Sequence, residues 1–272
     1  MRHIRCLATL LLASLAFAAQ AKMVHRPVEW TQGGTRFRSV LVYDDAIGTK
    51  RPGLVMVPNW FGINDAAVKK AEMIAGKDYV ILLTDMYGAN VRPQLDNADQ
   101  AQAAVKPLYA NRALMRARIN EALAQLRAQA KDAPIDTAKL AAIGFCFGGA
   151  AVLDLARSGA NVAAVVAFHG DLSTDDAAMA KRIKARVLAM NGADDAWTMK
   201  DAGKFMVEMR QSPADWQFVV PADWQFVVLG HAVHCFTEEG EDSPDCKYDA
   251  KAAAWSYRLM RAWLDEAFAG QD

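Results

Sequence analysis

The chain has 272 residues, and its 31 basic and 31 acidic side chains give a formal net charge of zero. Balanced charge gives no reason to expect nucleic acid or an anionic membrane as a partner. With 53% hydrophobic residues the chain can bury a full core, and its length suits one α/β domain or two small domains.

The first residues have the layout of a secretory signal peptide. Arg2 and Arg5 supply a basic start, an apolar run follows at 6–19, and the small-x-small sequence at 19–21 is a cleavage site. The run is short for a transmembrane helix, although a retained N-terminal anchor is the alternative. We therefore expect cleavage after Ala21. The mature protein should be periplasmic or secreted, monomeric, and without stable membrane association.

Strand-like and helix-like segments alternate along the mature chain. The first half predicts an antiparallel strand at 36–42, a buried parallel strand at 54–57, a helix at 66–75 capped by Asn64, a strand at 79–83, and two helices within 95–129 separated at Pro107. The second half predicts strands at 140–143, 162–168, 187–190 and 224–229, and helices at 150–156, 198–209 and 250–268. This alternation is typical of the α/β class: a mostly parallel sheet covered by helices on both faces, in a single domain spanning 22–272.

One octapeptide, Pro-Ala-Asp-Trp-Gln-Phe-Val-Val, occurs twice in tandem, at 213–220 and 221–228. The second copy runs directly into a segment that contains two histidines, so we expect that copy to be the sheet strand. The first copy would then be a surface loop or an added edge strand, because a longer loop adds little to the entropy of loop closure.

Loss of the signal peptide would leave the cysteines Cys146, Cys235 and Cys246. Disulfides persist in exported proteins, and an odd number of cysteines leaves one thiol unpaired or paired with another chain. Cys235 and Cys246 are close in sequence, with a turn-like stretch between them. Our hypothesis is that these two form a disulfide and that Cys146 stays free. No further metal-type residues accompany the cysteines, which argues against a zinc site.

Cys146 stands at the centre of a Gly-Phe-Cys-Phe-Gly sequence between a predicted strand and a predicted helix. In a parallel α/β sheet the chemistry belongs at the carboxyl ends of the strands. A Gly-x-nucleophile-x-Gly turn at such an end places the thiol at a helix N-terminus, whose dipole stabilises a thiolate. A buried, inert cysteine in a glycine-rich turn is the alternative.

Two other strand ends carry an acid and a base. Asp194 and Asp195 follow one strand, and an acid there can orient a histidine, with Asp195 preferred; an Asp-rich turn with a helix cap is the alternative. His231 and His234 follow the last strand, and either is a candidate general base, as is His169. The order nucleophile, acid, histidine is that of α/β-hydrolases.

At these residues the chain resembles the dienelactone hydrolase family. The resembling motifs extend over essentially the whole mature chain, at 58–64, 85–88, 144–149, 168–170, 192–195 and 234–237. The resemblance implies an α/β-hydrolase fold with Cys146 as nucleophile, Asp195 as orienting acid and His234 as base. It also implies that the backbone N–H groups of Trp60 and Phe147 stabilise an oxyanion.

The chain departs from the family where family members hold their substrate. A glutamate that pairs with the resting cysteine is replaced by Asn59, which cannot take a proton. The arginines that hold a substrate carboxylate are replaced by Glu238 and by Gly88 or Ala89, and Arg92 is only a partial substitute. Because a glutamate repels a carboxylate, we expect an uncharged ester, lactone or thioester rather than dienelactone itself.

The predicted function is an exported hydrolase that forms an acyl-cysteine intermediate, with a small ester or lactone as its partner and no metal or organic cofactor. The alternatives are a non-catalytic α/β-hydrolase-like binding protein and a thiol-redox protein. Apolar and aromatic residues predict the substrate pocket, although aromatic side chains pack equally well in a core. The predicted pocket residues are Asn59, Phe61, Tyr87, Trp197 and Phe236.

Overall fold

The structure is a computed structural model that describes residues 23–212 and 224–270. The predicted signal peptide at 1–21 and the first copy of the tandem repeat at 213–220 lie outside the described residues. The extent of the single domain therefore stays a prediction.

A mixed sheet forms the centre of the described part of the chain. Its strands are β1 (Met23–Gln32), β2 (Thr35–Asp44), β3 (Arg51–Val57), β4 (Val80–Leu83), β5 (Ile135–Phe145), β6 (Ala164–Phe168), β7 (Arg186–Gly192) and β8 (Trp224–Leu229). They are ordered β1-β2-β4-β3-β5-β6-β7-β8. β2 pairs antiparallel with β1 and β4, and all other neighbours are parallel. The predicted mostly parallel sheet is confirmed.

Helices cover both faces of this sheet. They are α1 (Asp65–Ala75), α2 (Ala98–Ala110), α3 (Arg112–Ala128), α4 (Phe147–Arg157), α5 (Ala196–Met199), α6 (Ala202–Met209) and α7 (Ala250–Ala269), with 3-10 turns at Gln129–Lys131 and Ala177–Arg182. α1 and α7 share one apolar core, while α2, α3, α4 and α6 share the other. Alternate residues of a buried strand feed the two cores: Leu54 of β3 packs with the first group and Val55 with the second. No helix in the described ranges is long and apolar enough to cross a membrane.

Three local expectations about the elements need correction. β1 was not predicted, because this edge strand buries only Val28 and Trp30 and its other residues are partly or fully exposed. The break between α2 and α3 falls at Asn111 rather than at Pro107, since the Asn111 side chain accepts a hydrogen bond from the N–H of Leu114 and caps α3. The proline lies in the last turn of α2, where the helix continues for only three further residues.

The segment predicted as one helix at 198–209 is two helices. Asp195 caps α5 and Asp201 precedes α6, so the chain turns between them. The N–H of Asp201 donates to the carbonyl oxygen of Thr198 at 3.2 Å, which ends the first helix after one turn.

A buried ion pair joins α4 to α6. The guanidinium of Arg157, only 1% exposed, donates to both carboxylate oxygens of Glu208 at 2.7 and 2.9 Å. It also donates to Asp154 at 3.1 Å and to the carbonyl oxygen of Leu172 at 3.0 Å. This arrangement satisfies a charge that would otherwise be costly to bury.

Replacement of Glu208 by alanine should therefore lower the free energy of unfolding by about 3 kcal/mol, because Arg157 stays buried with its bidentate partner removed. Lys204→Ala, on the same helix but in an exposed pair with Asp201, is the matched control and should have a far smaller effect. Chemical denaturation measures both. Equal losses would show that the buried pair is not what joins the two helices.

Candidate active site

Cys146 lies in the tight turn between β5 and α4. Its φ is +53°, and its N–H donates to the carbonyl oxygen of Phe168 at 3.0 Å. A Cβ on Gly144 would clash with the backbone of Gly148, and a Cβ on Gly148 would clash with the carbonyl oxygen of Val57. Both glycines of the motif are thus required by close backbone approach, and the turn holds the thiol at the N-terminus of α4.

Three predicted side chains meet at the carboxyl ends of β5, β7 and β8. The Nε2 of His234 is 3.2 Å from the Sγ of Cys146, and its Nδ1 is 2.8 Å from the Oδ2 of Asp195. His234 is 4% exposed and Asp195 is 2% exposed. Both ring nitrogens of one buried imidazole are therefore engaged by the two other members of the predicted triad.

The competing acids and bases lie elsewhere. Asp194 and His231 are exposed, so neither takes part in this contact. His169 is fully buried, and its Nε2 is 2.7 Å from the Oγ1 of Thr237. Its ring packs edge-on against that of His234, with 5.0 Å between the centroids. His169 therefore supports the ring of His234 by packing against it.

Asp195 is held by its own helix terminus. Its Oδ1 accepts from the N–H groups of Trp197 and Thr198, and its Oδ2 accepts from the Thr198 hydroxyl at 2.7 Å. The same hydroxyl accepts from the amide of Asn191 at 2.7 Å. Thr198 and Asn191 were missed at the sequence level, although an aspartate that caps a helix is a local signal pointing to Thr198.

The predicted oxyanion donors are the N–H groups of Phe147, which follows Cys146 in the chain, and of Trp60. Phe147 is the first residue of α4, so its N–H belongs to the first turn, where no intrahelical acceptor exists. Trp60 lines the same cavity as Cys146 and lies in a turn closed by a 3.0 Å bond from the N–H of Gly62 to the carbonyl oxygen of Asn59.

A cavity of about 400 Å³ opens over Cys146 and His234. Its walls combine apolar side chains, three acidic side chains and both remaining cysteines. The apolar residues are Trp60, Phe61, Leu95 and Trp197, the acidic residues are Asp96, Glu238 and Glu241, and the cysteines are Cys235 and Cys246. Within the described residues, no group of three or more His, Cys, Asp or Glu side chains is arranged to hold a metal ion.

The model of the dienelactone hydrolase family matches residues 37–268. This chain belongs to the dienelactone hydrolase family. It is therefore a hydrolase of the ester and lactone type, and family membership favours this activity over a binding or redox role.

Known relatives agree with that assignment. A protein described as a probable 2-oxo-3-(5-oxofuran-2-ylidene)propanoate lactonase, from a Bradyrhizobium species, is 26% identical over 219 residues, which cover 76% of this chain and 84% of the relative. A solved structure named m3DLH is 37% identical, with a TM-score of 0.79 over 90% of this chain and 99% of its own. A dienelactone hydrolase-like promiscuous phosphotriesterase from metagenomic libraries is 36% identical, with a TM-score of 0.78 over 91% and 99%. The predicted α/β-hydrolase fold is confirmed.

The electrostatics of this dienelactone hydrolase family member shift the pKa values of His234 and Asp195. Burial by itself would lower the pKa of His234, but the negative charge of Cys146 and hydrogen bonds with Asp195 and Cys146 raise that pKa to about 10. Burial also opposes ionisation of Asp195, yet its hydrogen bonds with His234 and Thr198 keep its pKa below the usual value. The imidazole of His234 is thus held between the carboxylate of Asp195 and the sulfur of Cys146.

Two predicted pocket residues lie behind the cavity wall instead of lining it. Tyr87 is buried, and its hydroxyl donates to the carbonyl oxygen of Trp60 at 2.9 Å, so it supports the turn that contains Trp60. Phe236 is fully buried against His169, with 5.1 Å between ring centroids. Asn59, Phe61 and Trp197 line the cavity. That Tyr87 and Phe236 contact substrate stays a prediction.

Glu238 is not the unpaired negative charge that the sequence suggested. Its Oε1 is 2.6 Å from the Nζ of Lys70, and its Oε2 accepts from the Asn59 amide at 2.9 Å. The expected repulsion of a carboxylate by Glu238 is weakened by this pairing. Arg92, considered as a substitute for a substrate-binding arginine, is committed to Asp85 at 3.1 Å.

The disulfide of the structure joins Cys235 to Cys246, and Cys146 is the free thiol among the described residues. This is the pairing proposed from the sequence. The disulfide lies in the wall of the cavity that contains Cys146.

Replacement of Cys146 by alanine should lower the pKa of His234 from its value of about 10, because the thiolate charge and one hydrogen bond are lost. With its folded-state pKa raised, His234 is protonated at neutral pH and loses its proton only as the pH approaches that value. Side-chain ¹⁵N NMR across a pH series measures the change. Asp195→Asn should lower the same pKa through loss of the other partner, and an unchanged titration in both variants would contradict the pairing.

Proposed function

We propose that this hydrolase cleaves its substrate through an acyl-cysteine intermediate on Cys146. The observation that carries the proposal is the pair of contacts made by His234, at 3.2 Å to the Cys146 sulfur and at 2.8 Å to the Asp195 carboxylate. A nucleophile within reach of a base, with the base oriented by a buried acid, is the arrangement that activates a thiol for acyl transfer.

The proposed reaction has two halves. The Cys146 thiolate attacks the substrate carbonyl, and the N–H groups of Trp60 and Phe147 stabilise the oxyanion. The tetrahedral intermediate collapses to a thioester while the His234 imidazolium gives its proton to the leaving alkoxide. His234 then takes a proton from water, the hydroxide attacks the thioester, and the carboxylic acid leaves as the thiolate is restored.

The thiol of this chain is proposed to be ready before substrate arrives. The family resemblance implies that other members have a glutamate at the position of Asn59, and that this glutamate pairs with the resting cysteine. Here the Asn59 amide donates to Glu238 and its oxygen accepts from the N–H of Phe61 at 3.1 Å, so Asn59 is committed elsewhere. Cys146 contacts His234 directly, which supports activation without a switch of partner.

The cavity supports an uncharged substrate with an apolar part. Leu95 and Trp197 are 55% and 53% exposed and stand at the cavity together with Trp60 and Phe61. Apolar side chains in a cavity wall favour an apolar group of the ligand through burial of surface area. Esters, lactones and thioesters without a carboxylate are therefore the proposed substrates.

A neutral phosphotriester is a second candidate substrate. The observation that favours it is the 36% identity, over nearly the full length of both chains, to the promiscuous phosphotriesterase. An apolar cavity over a thiolate also accepts a neutral phosphoryl centre, since the same backbone donors can stabilise the charge that develops on its oxygen.

The test of the triad is hydrolysis of a panel of chromogenic neutral esters, with a carboxylate-bearing ester and a phosphotriester in the same panel. Cys146→Ala should abolish turnover, and Asp195→Asn should reduce kcat by about 10⁴-fold. Intact mass of the wild type after rapid quenching should show one acyl adduct, mapped to the Cys146 peptide. An adduct that persists in Cys146→Ala would overturn the assignment.

Asp194→Asn is the matched control for the acid, because Asp194 is exposed and adjacent in sequence. Its kcat/KM should stay close to that of the wild type. If Asp194→Asn and Asp195→Asn lose activity equally, the loss reflects general charge and not orientation of His234.

We also propose that the chain is exported. The basic start, the apolar run at 6–19 and the small-x-small site at 19–21 support the proposal. Expressed in full in a Gram-negative host, the protein should appear in the periplasmic fraction with Lys22 as its first residue. A chain lacking residues 1–21 is the control and should stay in the cytoplasm; an uncleaved full-length chain in the membrane fraction would favour an anchor instead.

A further inference from the structure

We propose that the Cys235–Cys246 disulfide is a positioning element for His234, so that full hydrolytic activity requires the oxidised form. The inference rests on the proposed function, since it concerns the base of that triad. Cys235 is the next residue after His234 in the chain, and Cys246 lies beside His234 in an isolated parallel bridge. Both sulfurs are therefore attached to backbone that neighbours the imidazole.

The segment that contains Cys246 has few other anchors. Residues 242–245 are exposed, and the bonds of this segment are mostly internal, such as those between Ser243 and Cys246. The N–H of Lys247 donates to the carbonyl oxygen of His234 at 3.0 Å, and this bond fixes the His234 peptide from the outer side. Without the disulfide, the hydrogen bond from Lys247 to His234 would depend on an exposed loop alone. Exposed loops with few buried contacts open readily.

The inner side of the same loop is held independently. The Thr237 hydroxyl lies 2.7 Å from His169, and the N–H of Asp249 donates to the carbonyl oxygen of Phe236 at 3.1 Å. Opening of the disulfide should therefore leave the fold in place while His234 loses its outer restraint. Cys235, the residue after His234, also has a left-handed backbone conformation with φ of +63°. A non-glycine residue keeps such a conformation only when its surroundings hold it there.

The disulfide is part of the substrate cavity as well. Cys235, Cys246 and Glu241 line the same cavity as Cys146. Opening of the disulfide should therefore loosen one wall of the cavity as well as the position of His234. We expect kcat to fall and KM to rise.

Reduction is a two-electron step with a dithiol such as dithiothreitol as reductant. One thiolate of the dithiol attacks a sulfur of the bridge and releases the other as a thiolate, and the second thiol of the reagent then displaces the first cysteine. Cys235 and Cys246 each end as a protonated thiol, and the dithiol ends as its cyclic disulfide. Cys146 is not part of a disulfide and is unchanged.

The experiment uses the full chain and a neutral chromogenic ester, with reduction verified by peptide mass. Reduction should lower kcat/KM by about 10²-fold, as expected for a displacement of order 1 Å at the base, and reoxidation should restore it. The double variant Cys235→Ser/Cys246→Ser should be permanently slow and insensitive to the dithiol. Asp242→Ala is the matched control: it removes the exposed pair with Lys247 in the same segment and should retain both activity and sensitivity to reduction.

A second readout separates positioning from general loss of structure. The rate of Cys146 alkylation by iodoacetamide, followed on the Cys146 peptide across pH, reports the contact of the thiol with His234. Reduction should move this pH profile towards that of His234→Ala while the circular dichroism spectrum stays unchanged. If verified reduction alters neither turnover nor the profile, while Cys146→Ala is inactive, the inference is overturned and the proposed function stands. If Cys146→Ala retains turnover, the proposed function fails, and the alkylation profile alone decides the positioning role.

Discussion

The imidazole of His234 joins a buried carboxylate to a partly buried thiol. A buried carboxylate needs a cation and hydrogen bonds, and a thiolate needs a nearby positive charge or donors. His234 supplies both through its two nitrogens, at 2.8 Å to Asp195 and at 3.2 Å to Cys146. Each partner raises the affinity of the ring for its second proton, so the pKa of His234 lies above that of an ordinary histidine.

The strand order is what makes that contact possible. β3 and β5 are neighbours, so the turn that contains Trp60 and the turn that contains Cys146 emerge side by side. The missing Cβ of Gly148 lets α4 approach the carbonyl oxygen of Val57 at the end of β3. β7 and β8 are also neighbours, which brings Asp195 next to the segment of His234. A parallel sheet thus assembles a site from residues far apart in sequence, because all the relevant strands end at one edge.

Local patterns singled out Cys146, Asp195 and His234, because each follows a strand end within a short motif, and the structure brings the three side chains into contact. Contacts between residues far apart in the chain have no such local motif. Lys70 and Glu238 are 168 residues apart, so their ion pair could not be predicted from the sequence. Tyr87 was assigned to the pocket because the sequence does not distinguish an aromatic residue that faces a cavity from one that packs beneath a loop. The exposed edge strand β1 was missed for a related reason, since only a few of its residues are buried.

The protonation of His169 follows from its two nitrogens. The Thr237 hydroxyl donates to Glu238 at 3.2 Å, so it is free to accept from the Nε2–H of His169 at 2.7 Å. The Nδ1 is then the unprotonated nitrogen, and it has no hydrogen-bond partner within the described part of the chain. A second proton there would be a buried, unsatisfied donor, in keeping with the lowered pKa that complete burial and the neighbouring cations give this ring.

A neutral His169 has a consequence for the base beside it. It separates the imidazolium of His234 from the carboxylate of Glu238, which Lys70 already neutralises at 2.6 Å. Glu238 therefore does not compete with Asp195 and Cys146 for the positive charge of His234. Asn59 and Glu238, which replace the residues that the family resemblance assigned to switching and substrate binding, are thus bound to each other and to Lys70, and the Cys146 thiol contacts His234.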